Sequence, residues 1–283
     1  MKNMFSQTSY AKNFPAVGFG TYKAAPDENI EIISRAIEAG YRYFDTASFY
    51  GTEKFIAEAI AKSGIKREEF FIASKLWKAD MGYEKTQSAF KKTLEELNTD
   101  YVDVFMIHWP RPDLTQSDWK KLDLETWRAM EEFYSAGKIR ALGLSNFLPY
   151  HADNIIKNCK VIPTVAQLEF HPGYTQTFAI NYYREKNILL QAWSPIARGR
   201  VINDELIIEL AEKYHATPAQ ICLRFCIQEG VMPLPKASTI ERMKENLEIL
   251  NFEIDGEDIS RLENMPPLGW SGEHPDRERV KIS

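Results

Sequence analysis

Three apolar runs in the first 110 residues each close on an ionisable side chain: Tyr41–Asp45 on Asp45, Phe70–Lys75 on Lys75, and Val102–His108 on His108. Tyr50 follows the first run by five positions. An acid, an ammonium, an imidazole and a phenol suit one chemistry well: protonating a carbonyl oxygen as its carbon receives a nucleophile, or the reverse. A phenol is a weak acid, with an ordinary pKa near about 10. A neighbouring ammonium is expected to pull that value down towards the range useful near neutrality. Asp45 would hold Lys75 charged and oriented, and neutral His108 would donate a hydrogen bond to the substrate oxygen. No activated nucleophile completes a serine-type triad, and one histidine with one aspartate is too few for a metal site. Taken singly, the residues have plainer explanations: a structural ion pair, a core histidine, a packed tyrosine. Their joint placement is what points to catalysis.

That placement depends on the elements that carry them. Strand-like runs recur at Ala16–Gly20, Tyr41–Asp45, Phe70–Lys75, Val102–His108, Ile139–Leu144, Thr164–Leu168, Ile188–Trp193 and Val231–Pro235, with a helix-length segment between successive runs. The segments between them show helical spacing, as in Ile32, Ile33, Ala36, Ile37 and in Phe55, Ile56, Ala59, Ile60. Strands alternating with helices imply right-handed βαβ crossovers and a parallel sheet. Eight such units in 283 residues suit a closed (β/α)8 TIM barrel of the α/β class, whose chemistry sits at the carboxyl ends of its strands. The whole chain, 1–283, is expected to be a single barrel domain, with a short N-terminal hairpin capping the bottom. Thr217-Pro218-Ala219-Gln220 reads as a capped helix start, and Gly40 and Gly137 as helix stops. Trp193-Ser194-Pro195 and Gly199 suggest a loop leading to an inserted helix over Asp204–Tyr214. The tail 266–283 lacks periodicity and is expected to lie over the barrel mouth.

Bulk properties narrow the partners. A hydrophobic content of 44% is ample for a core, and a net charge of −5 without long basic runs disfavours nucleic acid or an anionic membrane as partner. No apolar run approaches the roughly 20 residues of a membrane span. The start lacks a hydrophobic signal core, so a cytoplasmic location is expected. The three cysteines, Cys159, Cys222 and Cys226, agree with a reducing compartment. Cys222 and Cys226 lie four apart on an expected helix without nearby third or fourth ligands, and read as packed thiols rather than metal ligands.

In order along the chain stand Gly18-Phe19-Gly20-Thr21, Asp45-Thr46-Ala47-Ser48-Phe49-Tyr50-Gly51, Ser74-Lys75-Leu76-Trp77 and Ile107-His108-Trp109-Pro110. Then follow Gly143-Leu144-Ser145-Asn146-Phe147, Gln167-Leu168-Glu169, Ala192-Trp193-Ser194-Pro195 and Leu234-Pro235-Lys236. With these the chain resembles the aldo-keto reductase family almost end to end, and its shorter terminal loop resembles bacterial or protozoan members. The resemblance implies reduction of aldehydes and ketones with NADPH supplying the hydride, which no side chain can supply. It assigns Tyr50 as general acid, tuned by Lys75 and Asp45, with His108 orienting the carbonyl. Gly20, Thr21 and Asp45 fall at cofactor positions. Ser145, Asn146 and Gln167 match those that hold the nicotinamide carboxamide, and Trp193 matches the ring on which the nicotinamide stacks. Ser194 and Pro195 match the pyrophosphate loop. Lys236, Ser238, Thr239, Arg242, Glu245 and Asn246 match the segment that binds the adenosine 2′-phosphate and adenine, although Ala237 stands where many relatives carry a serine. Thr52 replaces an asparagine common in relatives. Tyr22, Phe49, Trp77 and Trp109 match pocket-lining positions, and the short tail implies an open pocket with broad aldehyde acceptance. A small carbonyl compound is the expected partner, and a monomer the expected state.

Two other readings use part of this pattern. A barrel aldolase with Lys75 forming a Schiff base explains a strand-end lysine but leaves Ser145, Asn146, Trp193, Lys236 and Arg242 without a role. A non-catalytic NADPH-binding regulatory subunit explains the cofactor positions but not the intact set of Asp45, Tyr50, Lys75 and His108.

Overall fold

The computed structural model describes residues 10–23 and 29–281. Eight strands follow chain order in one sheet: β1 (Phe19–Gly20), β2 (Tyr43–Asp45), β3 (Phe71–Leu76), β4 (Val104–Ile107), β5 (Leu142–Ser145), β6 (Val165–Glu169), β7 (Leu189–Trp193) and β8 (Val231–Leu234). Every neighbouring pair is parallel. The sheet closes where Gly18 and Gly20 donate their backbone N–H groups to the carbonyls of Pro233 and Pro235, at 3.1 and 3.0 Å. Gly20 is needed there, because a Cβ would stand 2.9 Å from the Leu234 carbonyl oxygen. The α/β barrel read from the alternating runs is the observed fold.

Side chains alternate in and out along each strand. Those facing outward, such as Phe44, Ile72, Phe105, Ile107, Leu142 and Leu144, pack under the helices in one large core. Those facing inward change character with height. Tyr43, Ala73, Val104, Met106, Val165, Leu189 and Met232 form an apolar plug, closed from below by Ala11 and Phe14. The next inward positions up are Asp45, Lys75, His108, Ser145, Gln167 and Gln191, all buried. The lower layers thus fill the barrel with hydrocarbon, and polar groups collect at the carboxyl ends.

The helices that follow the strands are α1 (Asn29–Ala39), α2 (Glu53–Ser63), α3 (Tyr83–Glu96), α4 (Trp119–Ser135), α5 (Pro149–Ile156), α6 (Thr177–Glu185), α7 (Glu205–Lys213), α8 (Pro218–Gln228), α9 (Ile240–Leu247) and α10 (Gly256–Glu263). The reciprocal cap expected at Thr217 is present: Gln220 N–H donates to Thr217 Oγ1 at 3.2 Å, and Thr217 N–H donates to Gln220 Oε1 at 2.9 Å. The inserted helix is α7, with Asp204 as its N-cap. Cys222 and Cys226 are free thiols packed in the core. The expected N-terminal hairpin falls partly on residues 1–9, which lie outside the described residues. Over Ala11–Asn13 the chain makes a short 3-10 turn instead of a strand. Among the described residues no helix is long and apolar enough to cross a membrane.

Candidate active site

β2 and β3 are paired with Asp45 opposite Ala73, so Lys75, two residues on along β3, reaches Asp45 with its side chain at the top of the plug. Lys75 is fully buried and donates to Asp45 Oδ1 and Oδ2 at 2.8 and 2.7 Å, and to the Thr46 carbonyl at 2.9 Å. The ammonium's three N–H bonds are all occupied. Gln167 Nε2 gives Asp45 Oδ1 a further bond of 2.7 Å and reaches Gln191 Oε1 at 3.1 Å; Gln191 in turn donates to the Tyr43 hydroxyl at 2.7 Å. Side chains from β2, β3, β6 and β7 therefore share one network.

Tyr50 rides on a 3-10 turn, Ser48–Tyr50, ended by Gly51 at φ 67°, a left-handed conformation that glycine adopts without strain. Thr52 ties this turn to the barrel: its hydroxyl lies 2.7 Å from that of Thr46 and 2.9 Å from that of Thr21. Thr21 Oγ1 also donates to the Asp45 carbonyl at 2.9 Å. The substitution at Thr52 thus has a structural consequence that its place after the tyrosine does not suggest. The Tyr50 hydroxyl lies 3.3 Å from His108 Nε2, and the Lys75 ammonium lies 5.1 Å from the centre of the Tyr50 ring.

The electrostatics of Tyr50 differ from the expectation. Its pKa is held well above 10.0, first by burial, then by the Asp45 carboxylate and by Tyr22; the opposing charge is Arg198. Lys75 does not lower it, because the ammonium is neutralised on Asp45 and has no N–H left to offer the phenol. Burial also lowers the pKa of Lys75, against the pull of Asp45. Burial, followed by the Lys75 charge, keeps His108 well below 6.5 and therefore neutral near pH 7. Arg198, in the loop after β7, was not legible as a site residue. Its guanidinium lies 5.9 Å from the ring centres of both Tyr22 and Trp193, brought there by a left-handed turn at Ala197 and Arg198.

The four aromatic residues expected in the pocket surround this pair. Tyr22 lies 4.9 Å from the Tyr50 ring, and Trp77 packs edge-on to His108 at 5.2 Å. Phe49 stacks on Trp77 at 3.9 Å, and the Trp109 ring lies 6.5 Å from that of His108. The tail crosses the mouth, as expected, and Glu273, His274 and Pro275 line a crevice with Trp109, Asn146 and Trp193. The open pocket inferred from the tail's shortness is not what is seen on this side, because the strap lies directly against the rim.

The cofactor positions divide into three groups. Ser145 and Gln167 are cross-strand partners. Ser145 Oγ accepts from Asn146, which leaves its own proton to donate. Both Gln167 Nε2 protons are engaged, so Oε1 remains an acceptor. Asn146, by contrast, is committed internally: Nδ2 donates to the His108 carbonyl at 3.0 Å and to Ser145 Oγ at 3.2 Å, and Oδ1 accepts the Trp193 indole N–H at 2.8 Å. It clips Trp193 to the His108 strand end. Ser194, at φ 50°, begins the strained turn that Pro195 continues. Around α9, Lys236 donates to Ser238 at 2.9 Å, and Thr239 caps the helix by accepting from the Arg242 N–H. Arg242 and Ser238 are exposed. Asn246 is buried beside Tyr41, and the Glu245 backbone carbonyl accepts from Gln220 at 2.9 Å.

Comparison with known proteins decides the family. The model of the aldo/keto reductase family matches residues 16–207 and 202–266. The chain belongs to the aldo/keto reductase family. It is 40% identical over 263 residues to a glyoxal reductase of Bacillus subtilis, covering 93% of this chain and 92% of that protein. It is 35% identical over 266 residues to a 9,11-endoperoxide prostaglandin H2 reductase of Trypanosoma cruzi, covering 93% and 91%. Among solved structures, an aldo/keto reductase from Brucella melitensis is similar at a TM-score of 0.83 with 38% identity, over 88% of this chain and 94% of that one. A variant of Gox0644 in complex with NADPH is similar at 0.86 with 32% identity, over 94% and 95%. As a member of the aldo/keto reductase family the chain is an oxidoreductase, and NADPH is the family's cofactor.

The donor set fits that cofactor. A primary carboxamide needs one donor for its carbonyl and one acceptor for its amide, which are the two capacities left on Ser145 and Gln167. The Trp193 indole, fixed by Asn146, offers an aromatic face beside them. Lys236, Ser238 and the amino end of α9 supply cationic and polar groups for a phosphate.

Proposed function

We propose that the chain, as a single catalytic domain over 1–283, reduces small aldehydes and ketones to alcohols, with Tyr50 as the general acid. The observation that carries this reading is the Tyr50 hydroxyl 3.3 Å from neutral His108 Nε2, above the buried Asp45–Lys75 pair. A carbonyl oxygen within reach of both groups would accept a hydrogen bond from each. Ser145, Gln167, Trp193, Lys236 and Arg242 would hold NADPH, which when bound supplies the hydride to the carbonyl carbon. Tyr50, kept protonated by burial, would retain its proton until negative charge develops on the oxygen, and then give it up to a far stronger base. His108 would steer the oxygen, and the aromatic walls would exclude water from the carbon. The likeness to a glyoxal reductase supports small reactive aldehydes as first substrates. Three unpaired thiols support a reducing, cytoplasmic setting, and a monomer is the state proposed.

The Schiff-base alternative loses its support, because Lys75 is enclosed and all three N–H bonds are engaged. The regulatory-subunit reading is separated by measurement: NADPH oxidation should be followed at 340 nm across aldehydes, sugars, quinones and ketones, a wavelength choice of about that value being set by the reduced nicotinamide. Turnover with any carbonyl supports the proposal; tight NADPH binding with no turnover across the panel would replace it.

A second expectation concerns the anion cluster. Lys236→Ala combined with Arg242→Ala should raise the apparent KM for NADPH roughly thirtyfold while moving that for NADH less than about threefold, since two solvent-facing charge contacts contribute about 1 kcal/mol each and NADH lacks the 2′-phosphate. Equal effects on the two would show that the cluster does not read that phosphate.

A further inference from the structure

The strap 269–281 is fastened to the barrel near its start, where Arg200 donates to the Gly269 carbonyl, and again further along. At its start, Ser271 donates its N–H and Oγ–H to buried Glu169, at 2.9 and 2.7 Å. Beyond that, among the described residues, every hydrogen bond and ion pair that 272–281 makes outside the strap runs through Asp276. Its carboxylate meets the Arg111 guanidinium from the loop after β4 and His151 Nε2, at 3.1 Å, from α5. The His151 tautomer follows from its other side: Nδ1 accepts the Leu148 N–H at 3.2 Å, so Nε2 carries the proton and donates. Tyr150, on the same helix, adds its hydroxyl. The residues this pin holds down, Glu273, His274 and Pro275, are those that face Trp109 and Trp193.

Arg111 also acts electrostatically on a second acidic group. Asp123, on α4, is fully buried, and among the described residues neither of its oxygens has a hydrogen-bond partner. The Arg111 Nε is likewise buried without one. Burial pushes the Asp123 carboxyl well above its ordinary range, and Arg111 is the charge that opposes this. Asp123 is therefore held as the neutral acid while Arg111 sits on Asp276, and a guanidinium leaving Asp276 finds in it a group that can ionise to pair with it.

We propose that Asp276 is the pin that positions the strap over the substrate pocket, and that Arg111 exchanges between Asp276 in the closed strap and Asp123 in the open one. The strap then has two states in which Arg111 is paired, and opening does not strand a charge. Asp123 favours the open state and Asp276 the closed state. This rests on the carbonyl-reductase reading for its kinetic consequence, though not for its structural one.

The two acidic residues should therefore act in opposite directions. Asp276→Asn is expected to raise KM for an aromatic aldehyde such as 4-nitrobenzaldehyde by roughly five- to tenfold, with kcat unchanged or higher. Asp123→Asn is expected to lower KM about threefold and to slow kcat where product release limits it. Asp276→Glu, which keeps the charge, should recover most of the wild-type KM. Hydrogen exchange on the full chain gives the readout that needs no activity: amides of 272–281 should exchange faster in Asp276→Asn and slower in Asp123→Asn. Exchange moving the same way in both variants, or in neither, overturns the latch whatever the enzyme does. Opposite exchange shifts in a chain that reduces no carbonyl would leave the latch standing and remove the reductase reading.

Discussion

Tyr50→Phe is expected to cut the rate of carbonyl reduction by roughly a thousandfold while leaving NADPH affinity within about twofold, because a positioned general acid contributes about 10²–10⁴ in rate. The substitution removes one hydroxyl and keeps the ring, whose contacts with Tyr22 at 4.9 Å and His108 at 5.5 Å should survive. Stopped-flow turnover and fluorescence titration of NADPH separate the two effects. A variant with near-normal turnover would transfer the proton donation to another group and sink the assignment. The pH profile of the wild type is a companion result. On the proposed mechanism, reduction requires protonated Tyr50 and neutral His108. A phenol with its pKa raised well above 10.0 loses its proton only as pH climbs through that raised value. A histidine lowered well below 6.5 gains one only as pH falls far below it. Reduction should thus stay level from about pH 6.5 to about 10. A basic limb near neutrality would mean that the bound complex lowers the phenol's pKa after all.

That last point marks where the sequence stopped informing. The strand ends Asp45, Lys75 and His108 were legible because hydrophobic runs of strand length end on them, and a barrel gathers such ends on one rim. Tyr50 was legible by its distance from Asp45. The direction of the electrostatics was not. Whether Lys75 faces a phenol or is consumed by a carboxylate depends on where three N–H bonds point, and this is fixed by the pairing of β2 with β3 and by the Thr46 carbonyl. Asn146 illustrates the same limit: its residue type suits carboxamide binding, but its bonds go to Trp193 and the His108 carbonyl. Thr52 looked incidental, yet it joins two strand ends to the turn that carries Tyr50. Arg111 and Asp276 are 165 residues apart, and no local pattern connects them. Local periodicity reveals which residues reach the rim. Long-range register decides which partners use up their hydrogen bonds.

The buried pair beneath Tyr50 should show its nature most clearly when it is broken on one side and then on both. Lys75→Met leaves the Asp45 carboxylate with the Gln167 amide as its remaining side-chain donor among the described residues, and Asp45→Asn leaves the Lys75 ammonium only neutral acceptors, an amide oxygen and the Thr46 carbonyl. Either variant strands a charge in a site where Lys75 is fully buried and Asp45 is 5% exposed. Each should lose about 3–5 kcal/mol of stability, and for a chain of this size Tm should fall by roughly 6–20 °C. The double variant Asp45→Asn with Lys75→Met strands no charge. It should recover most of that loss, because replacing both members of a buried pair is often close to neutral. Activity should not return with stability: Lys75→Met and the double variant should both stay at least tenfold below wild type, since the polar floor under the phenol is gone in both. Thermal unfolding and steady-state rates on the same four proteins measure the two effects separately. Recovery of rate along with Tm in the double variant would make the pair a structural element only. Losses that simply add would mean that Asp45 and Lys75 do not meet as the 2.7 and 2.8 Å contacts require.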